Sequence, residues 1–190
     1  VLVQMLFIDG ALLYLGSGVG LGLWSLLRMT ASERRRDARL TRHDLPWLIP
    51  VVLAGGVVGP ALLMWGLAQA PASTSSLLLN LEGVFTAALA WFVFRENFDR
   101  RIALGMLAIV AGGVALTWAG LPEPGVPRGT LAVVGACGAW ALDNNLTRKI
   151  STADPVQIAA VKGLAAGATN VALALGTGGA WPAAGVVLSA

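Results

Sequence analysis

An all-α, polytopic bundle of transmembrane helices is the fold class this sequence predicts, on three observations. Hydrophobic residues make up 56% of the 190 and charged residues 12%, about half the charged share of an ordinary soluble domain. Several uncharged runs reach the roughly 20 residues a membrane helix needs. The basic residues gather in alternate connections between those runs. Together these exclude a disordered chain, a soluble globular enzyme and a nucleic-acid module, so no nucleic-acid partner is expected. Cys137 is the only cysteine and His43 the only histidine. That excludes an intrachain disulfide and leaves little for zinc or a Ser-His-Asp triad. No cofactor, metal or enzymatic activity is expected. No run alternates polar and apolar with period two, as a membrane barrel requires. Helices remain, because lipid offers the backbone no hydrogen-bond partners.

The first helix takes the uncharged run Gly10–Leu27, with Leu6–Ile8 in front of it. Asp44 to Glu82 brackets a second uncharged run, too long for one helix, and Gln69-Ala-Pro-Ala-Ser73 divides it. That gives a second helix near Pro46–Ala68 and a third near Ser73–Phe94. Ile102–Gly120 is a fourth, Gly129–Thr147 a fifth and Pro155–Leu175 a sixth; Ala183–Ala190 begins a seventh. Pro46 and Pro155 closely follow Asp44 and Asp154, a good arrangement for starting a helix. Pro60, behind Gly55-Gly56-Val57-Val58-Gly59, should kink or unwind the second helix, either as a packing bend or as a hinge.

Charge then orients the spans. Of 13 Lys and Arg residues, only Arg128 and Lys162 lie outside the connections 28–44, 95–101 and 148–154. These alternate with nearly uncharged turns at Gln69–Ala72, Leu121–Pro127 and Gly176–Pro182. The positive-inside rule makes the basic connections cytoplasmic, in a multi-pass protein of the inner or plasma membrane. The Glu33–Arg39 run serves this topology, with anionic-lipid contact as the lesser reading. Trp24, Trp47, Trp118 and Trp181 fall near span ends, where interfacial aromatics belong. Trp65, Trp91 and Trp140 lie deeper, for packing or for lining a cavity. Small residues four apart, Gly16/Gly20, Gly18/Gly22, Gly55/Gly59 and Gly163/Gly167, predict close helix approach. Gly16-Ser17-Gly18-Val19-Gly20 follows no strand and lacks the G-x-G-x-x-G spacing of a nucleotide loop.

A family resemblance rests on particular residues. Gly66-Leu-Ala-Gln-Ala-Pro-Ala-Ser73, Ser76-Leu-Leu-Leu-Asn-Leu-Glu82, Phe85-Thr-Ala-Ala-Leu-Ala-Trp91 and Arg95-Glu96 follow one another, then Gly105 and Gly112-Gly113. In that order they resemble an EamA-type repeat of the drug/metabolite transporter superfamily. Gly129-Thr-Leu, Trp140-Ala-Leu-Asp-Asn-Asn145 and Arg148-Lys149 resemble the opening of a second repeat. Gly83 departs from the pattern, since many members carry proline after the glutamate. The resemblance implies ten helices in two inverted five-helix repeats. Residues 1–120 are then a first repeat lacking its first helix, and 121–190 a truncated second repeat. With Val1 at one end and an apolar run at Ala190, a fragment of a longer protein is expected. The implied function is secondary transport of small organic metabolites by alternating access around a midplane site. The partners are then a small-molecule substrate and the lipid bilayer. The rival reading is a non-transporting membrane protein, a sensor or an assembly subunit, with Glu82 neutralised inside a dry bundle.

Ionisable groups inside a span are expensive and default to function with a named partner. Glu82 lies about ten residues into the third helix, near the midplane. Helical spacing sets Ser75 and Thr86 on its face, and Ser73, Ser76 and Asn80 on the opposite one. Glu82 either binds a substrate amine or a proton, or holds the bundle by hydrogen bonds. Asp143 lies roughly 7.5 Å along the axis from Arg148, as an interfacial charge or a coupling group. Of Asn144 and Asn145, one is expected to face a cavity and the other to bond across helices. Lys162 is roughly 12 Å deep, where it snorkels, pairs with Glu82 or Asp143, or attracts an anion. Glu82, Asn80, Asp143, Asn144, Asn145 and Lys162 are thus the candidate substrate or coupling residues, with Ser75, Ser76 and Thr86 as candidate lining.

Overall fold

The computed structural model describes residues 2–30, 40, 42–97, 99–118, 128–150 and 154–176. The Glu33–Arg39 run, the Leu121–Pro127 turn, Trp181 and the Ala183–Ala190 span lie outside them. Every regular element among the described residues is helical. Helix α1 covers Leu2–Thr30. Helix α2, Leu45–Val51, passes through a π-helical segment, Val52–Val58, into α3, Gly59–Leu67. Helices α4, Ala72–Leu78, and α5, Leu81–Phe92, stand in place of one third span. Helix α6 is Arg100–Trp118, α7 is Arg128–Lys149 and α8 is Pro155–Gly176.

By length and apolarity, Gly10–Leu27, Leu45–Leu67, Ala72–Phe92 and Pro155–Gly176 suffice to cross a membrane. Helix α7 is not among them, because Asp143-Asn144-Asn145 dilutes its apolar character. Large apolar side chains on many faces stay exposed, Leu13 and Leu104 among them. A water-soluble bundle would have turned such residues inward, whereas a lipid-facing one leaves them outside.

Helices α1 and α8 form one compact unit. They run antiparallel, with Gly10 beside Asn170, Leu15 beside Gly167 and Gly18 beside Gly163. A Cβ on Gly163 would stand 2.8 Å from both Gly18 Cα and the Tyr14 carbonyl. Gly163 and Gly167 act as the sequence expects: with no side chain to hold them off, the helices approach to backbone contact. Gly16, Gly20 and Gly22 depart from that expectation, with nothing within 4 Å. Two residues are about 200° of helical turn, so Gly16 and Gly20 lie opposite the Gly18 face.

Helices α2 to α7 form the second unit, with α7 at its centre. Helix α7 runs antiparallel to α2–α3. Asp143 meets Gly55, Trp140 meets Gly59, Gly135 meets Leu62, and Gly129 meets Gly66. It runs parallel to α4–α5, from Cys137 beside Leu78 to Arg148 beside Glu96. Helix α6 rests on α4 and α5 and leaves most of its surface open.

Two interruptions shape this unit, each with a local cause. Pro60 has no N–H, and in α register its ring would crowd the Gly56 carbonyl. The chain widens just before it, and the Gly59 N–H donates to Ala54 O, five residues back. Between α4 and α5 the ladder tightens instead. Asn80 N donates to Leu77 O at 3.2 Å and Glu82 N to Leu79 O at 3.1 Å. The Glu82 N–H therefore misses Leu78 O, its α-register partner. The third span is thus broken just ahead of Glu82, although residue 83 is glycine and not proline.

Candidate functional site

Helix α7 answers both interruptions with side chains three residues apart. The indole Nε1 of Trp140 donates to the Gly55 carbonyl at 3.1 Å. In π register that carbonyl would take its bond from residue 60, which is proline. The Cys137 Sγ donates to the Leu78 carbonyl at 3.4 Å, the one that the Glu82 N–H bypasses. Sequence reading gives Trp140 to packing or cavity lining and gives Cys137 no task. The usable signal was a proline five residues after Gly55.

One helical turn beyond Trp140, α7 meets the polar face of α5. Asn144 Nδ2 donates to Glu82 Oε1 at 2.9 Å and to Thr86 Oγ1 at 3.5 Å. Asn145 Nδ2 donates to the Thr86 carbonyl at 3.0 Å and the Ala141 carbonyl at 2.9 Å. Glu82 is half-buried and Asn144 exposed, while Asn145 is 2% exposed with no partner for Oδ1 among the described residues. Among the described residues of this unit, no Lys, Arg or His pairs with Glu82. The structure thus joins Glu82, Thr86, Asn144 and Asn145 into one cluster on facing turns of α5 and α7.

The other candidates in the same unit have partners of their own. Ser75 is fully buried, its hydroxyl donating to the Pro71 carbonyl at 3.1 Å. Ser76 donates to Ser73 O at 2.8 Å, and Asn80 Nδ2 to Leu77 O at 3.0 Å, so both fold back on α4. Asp143 is 8% exposed and seated on Gly55, with Thr147 Oγ1 donating to its Oδ1 at 3.0 Å. Only a glycine at 55 makes room for that carboxylate. Lys162 is half-buried on α8, in the other unit. Asn170, 2% exposed beside Gly10, is a buried polar residue that sequence reading passed over. It resembles any asparagine in an apolar run until the α1–α8 contact is seen.

The ends of α5 and α7 are tied at the basic rim. Arg95 takes a left-handed φ of 55°, and the Glu96 N–H reaches back to Ala90 O at 2.9 Å. That turn brings the Glu96 carboxylate to the Arg148 guanidinium in an ion pair. Lys149 Nζ sits 5.3 Å from the Phe94 ring centroid, a cation–π distance. Two basic connections that the charge pattern assigned to one side thus meet at one end of this unit.

The sequence pattern of the EamA-like transporter family matches residues 10–118, more than half of the chain. The chain belongs to that family. An "Uncharacterized transporter" of Methanothermobacter thermautotrophicus is 31% identical over 119 residues, 60% of this chain and 35% of that protein. A "Probable amino-acid metabolite efflux pump" of Salmonella typhimurium is 31% identical over 86 residues, 45% of this chain and 29% of that protein. This EamA-family chain therefore spans about a third of the length of these relatives. No solved structure matches it. Family and apolar helices together make it a multi-pass membrane protein of the drug/metabolite transporter type. Glu82 and Thr86 lie inside the matched region; Asn144 and Asn145 lie beyond it.

Proposed function

We propose that the intact protein is a secondary transporter of small organic metabolites, working by alternating access, with Glu82 as the carboxylate that binds solute or proton. The observation that carries this reading is the Glu82 cluster. A carboxylate deep in an apolar helix needs a cation, a proton or water. Among the described residues of its unit, its partner is a neutral amide, Asn144 Nδ2 at 2.9 Å, which orients the group without balancing a negative charge. An exchangeable positive charge is then what the site is built to hold. The rival reading, a sensor or assembly subunit, needs a partner that neutralises Glu82 permanently, and an amide does not do so.

The interrupted helices support the mechanism. Transporter sites are commonly bordered by broken helices, whose freed backbone groups tolerate water or find side-chain partners. Both breaks in the α2–α7 unit flank the Glu82 cluster through α7. The division into repeats at residue 120 belongs to this proposal, supported by a family match ending at 118. So does the cytoplasmic side of the basic connections, supported by the Arg148–Glu96 ion pair between two of them. The Salmonella relative's name makes amino acids and related metabolites the first solutes to try.

The test is flux into proteoliposomes carrying the intact protein, across amino acids, amines and other metabolites, with and without a pH gradient. Flux that Glu82→Gln abolishes in a correctly folded protein is the expected result. Absence of flux for every solute under both conditions overturns the proposal.

A further inference from the structure

Hydrogen-bond capacity in the Glu82 cluster is lopsided. The amide hydrogens of Asn145 go to Thr86 O and Ala141 O, and those of Asn144 to Glu82 Oε1 and Thr86 Oγ1. These acceptors also determine which end of each amide is nitrogen. What stays open is oxygen, Glu82 Oε2 and Asn144 Oδ1; Asn145 Oδ1 also lacks a donor among the described residues but is enclosed. The hydrogen left to offer an occupant is that of the Thr86 hydroxyl.

An open carboxylate and amide oxygen on facing turns suit an occupant that donates hydrogens. A carboxylate with no cationic partner among the described residues of its unit points to positive charge. Resting on the transport reading above, we infer that this site selects a cation that donates N–H hydrogens, a primary ammonium, over one whose nitrogen is fully alkylated. A quaternary ammonium balances Glu82 but leaves the open oxygens unpaired. Sites built to hydrogen-bond a substrate reject analogues that lack the donor. An anion or an acceptor-only solute fails on charge and on hydrogen bonding together. A water held permanently between Glu82 and Asn144 is the competing occupant, and it would erase the discrimination.

Binding to the intact protein in lipid nanodiscs is measured at neutral pH for hexylammonium, phenethylammonium and cyclohexylammonium, each beside its N,N,N-trimethyl counterpart. The primary ammonium is expected to bind at least about tenfold tighter within each pair, and Glu82→Gln to remove binding of both. Equal or tighter binding of the trimethyl members overturns the inference. If no cation binds while proteoliposomes still carry an anionic or uncharged solute, the inference falls and transport stands. If nothing binds and nothing is carried, both fall.

Discussion

Trp140 donates its indole N–H to the carbonyl of Gly55 at 3.1 Å, and Pro60, the π-register partner of that carbonyl, has no N–H to donate to it. Trp140→Phe keeps the ring against Gly59 and removes the donor. A loss of about 1–2 kcal/mol in unfolding free energy is expected, read by denaturant titration in mixed micelles. In a Pro60→Ala background residue 60 regains an N–H, so Trp140→Phe should then cost less. A double-mutant cycle with no coupling would show that the proline and the indole act independently.

Gly18 and Gly163 sit at the closest approach of α1 and α8, and Gly55 carries the Asp143 carboxylate. Alanine at Gly163 or Gly55 should destabilise by about 1–3 kcal/mol through overpacking. Alanine at Gly16 or Gly20, with nothing within 4 Å, should change stability by less than about 0.5 kcal/mol. Thermal unfolding of the four variants side by side checks this, and the ranking matters more than any single value.

Cys137 is fully buried and is the chain's only cysteine. A membrane-impermeant maleimide should leave the folded wild type unmodified. On a Cys137→Ala background, Ser75→Cys should also resist labelling, because Ser75 is fully buried. Thr86→Cys, in the half-buried cluster, should react and be protected by a bound amine. Labelling at 75 with none at 86 would place the aqueous face on the wrong side of α4–α5.

Asn144→Ala removes the amide that orients Glu82, so solute affinity should fall several-fold with folding intact. Ser76→Ala should leave affinity unchanged, since that hydroxyl is spent on Ser73 O. Titration of the two purified variants with the same amine separates a cluster on α5 and α7 from a polar stripe along α4.

Arg148 and Glu96 form an ion pair with side chains 52% and 35% exposed. Exposed pairs contribute about 0–1 kcal/mol. Their coupling in a double-mutant cycle should be within that range and should fade in roughly 1 M salt, where the screening length is about 3 Å. A salt-independent coupling would mean that the rim is drier than its exposure implies.

Apolar helical runs, the basic connections between them and an ionisable Glu82 within one such run were legible in the chain by itself. Those features depend on local composition against a fixed solvent: some 20 apolar residues, a carboxyl among them, arginines between. Pro60 likewise announced a break in its own helix. What the chain alone left open was which helix answers which. Asn144 and Asn145 look equivalent side by side, yet successive residues lie about 100° apart on a helix, so one reaches Glu82 and the other the Thr86 backbone. Ser75 shares helical spacing with Glu82 until the ladder tightens at Leu79–Asn80, and it ends fully buried. Cys137 and Trp140 gained their partners only because α7 packs antiparallel to α2–α3 and parallel to α4–α5. Such pairings join residues some 60 to 85 positions apart. Local propensity carries no record of them, and backbone groups that lipid would leave unpaired select the neighbour that satisfies them.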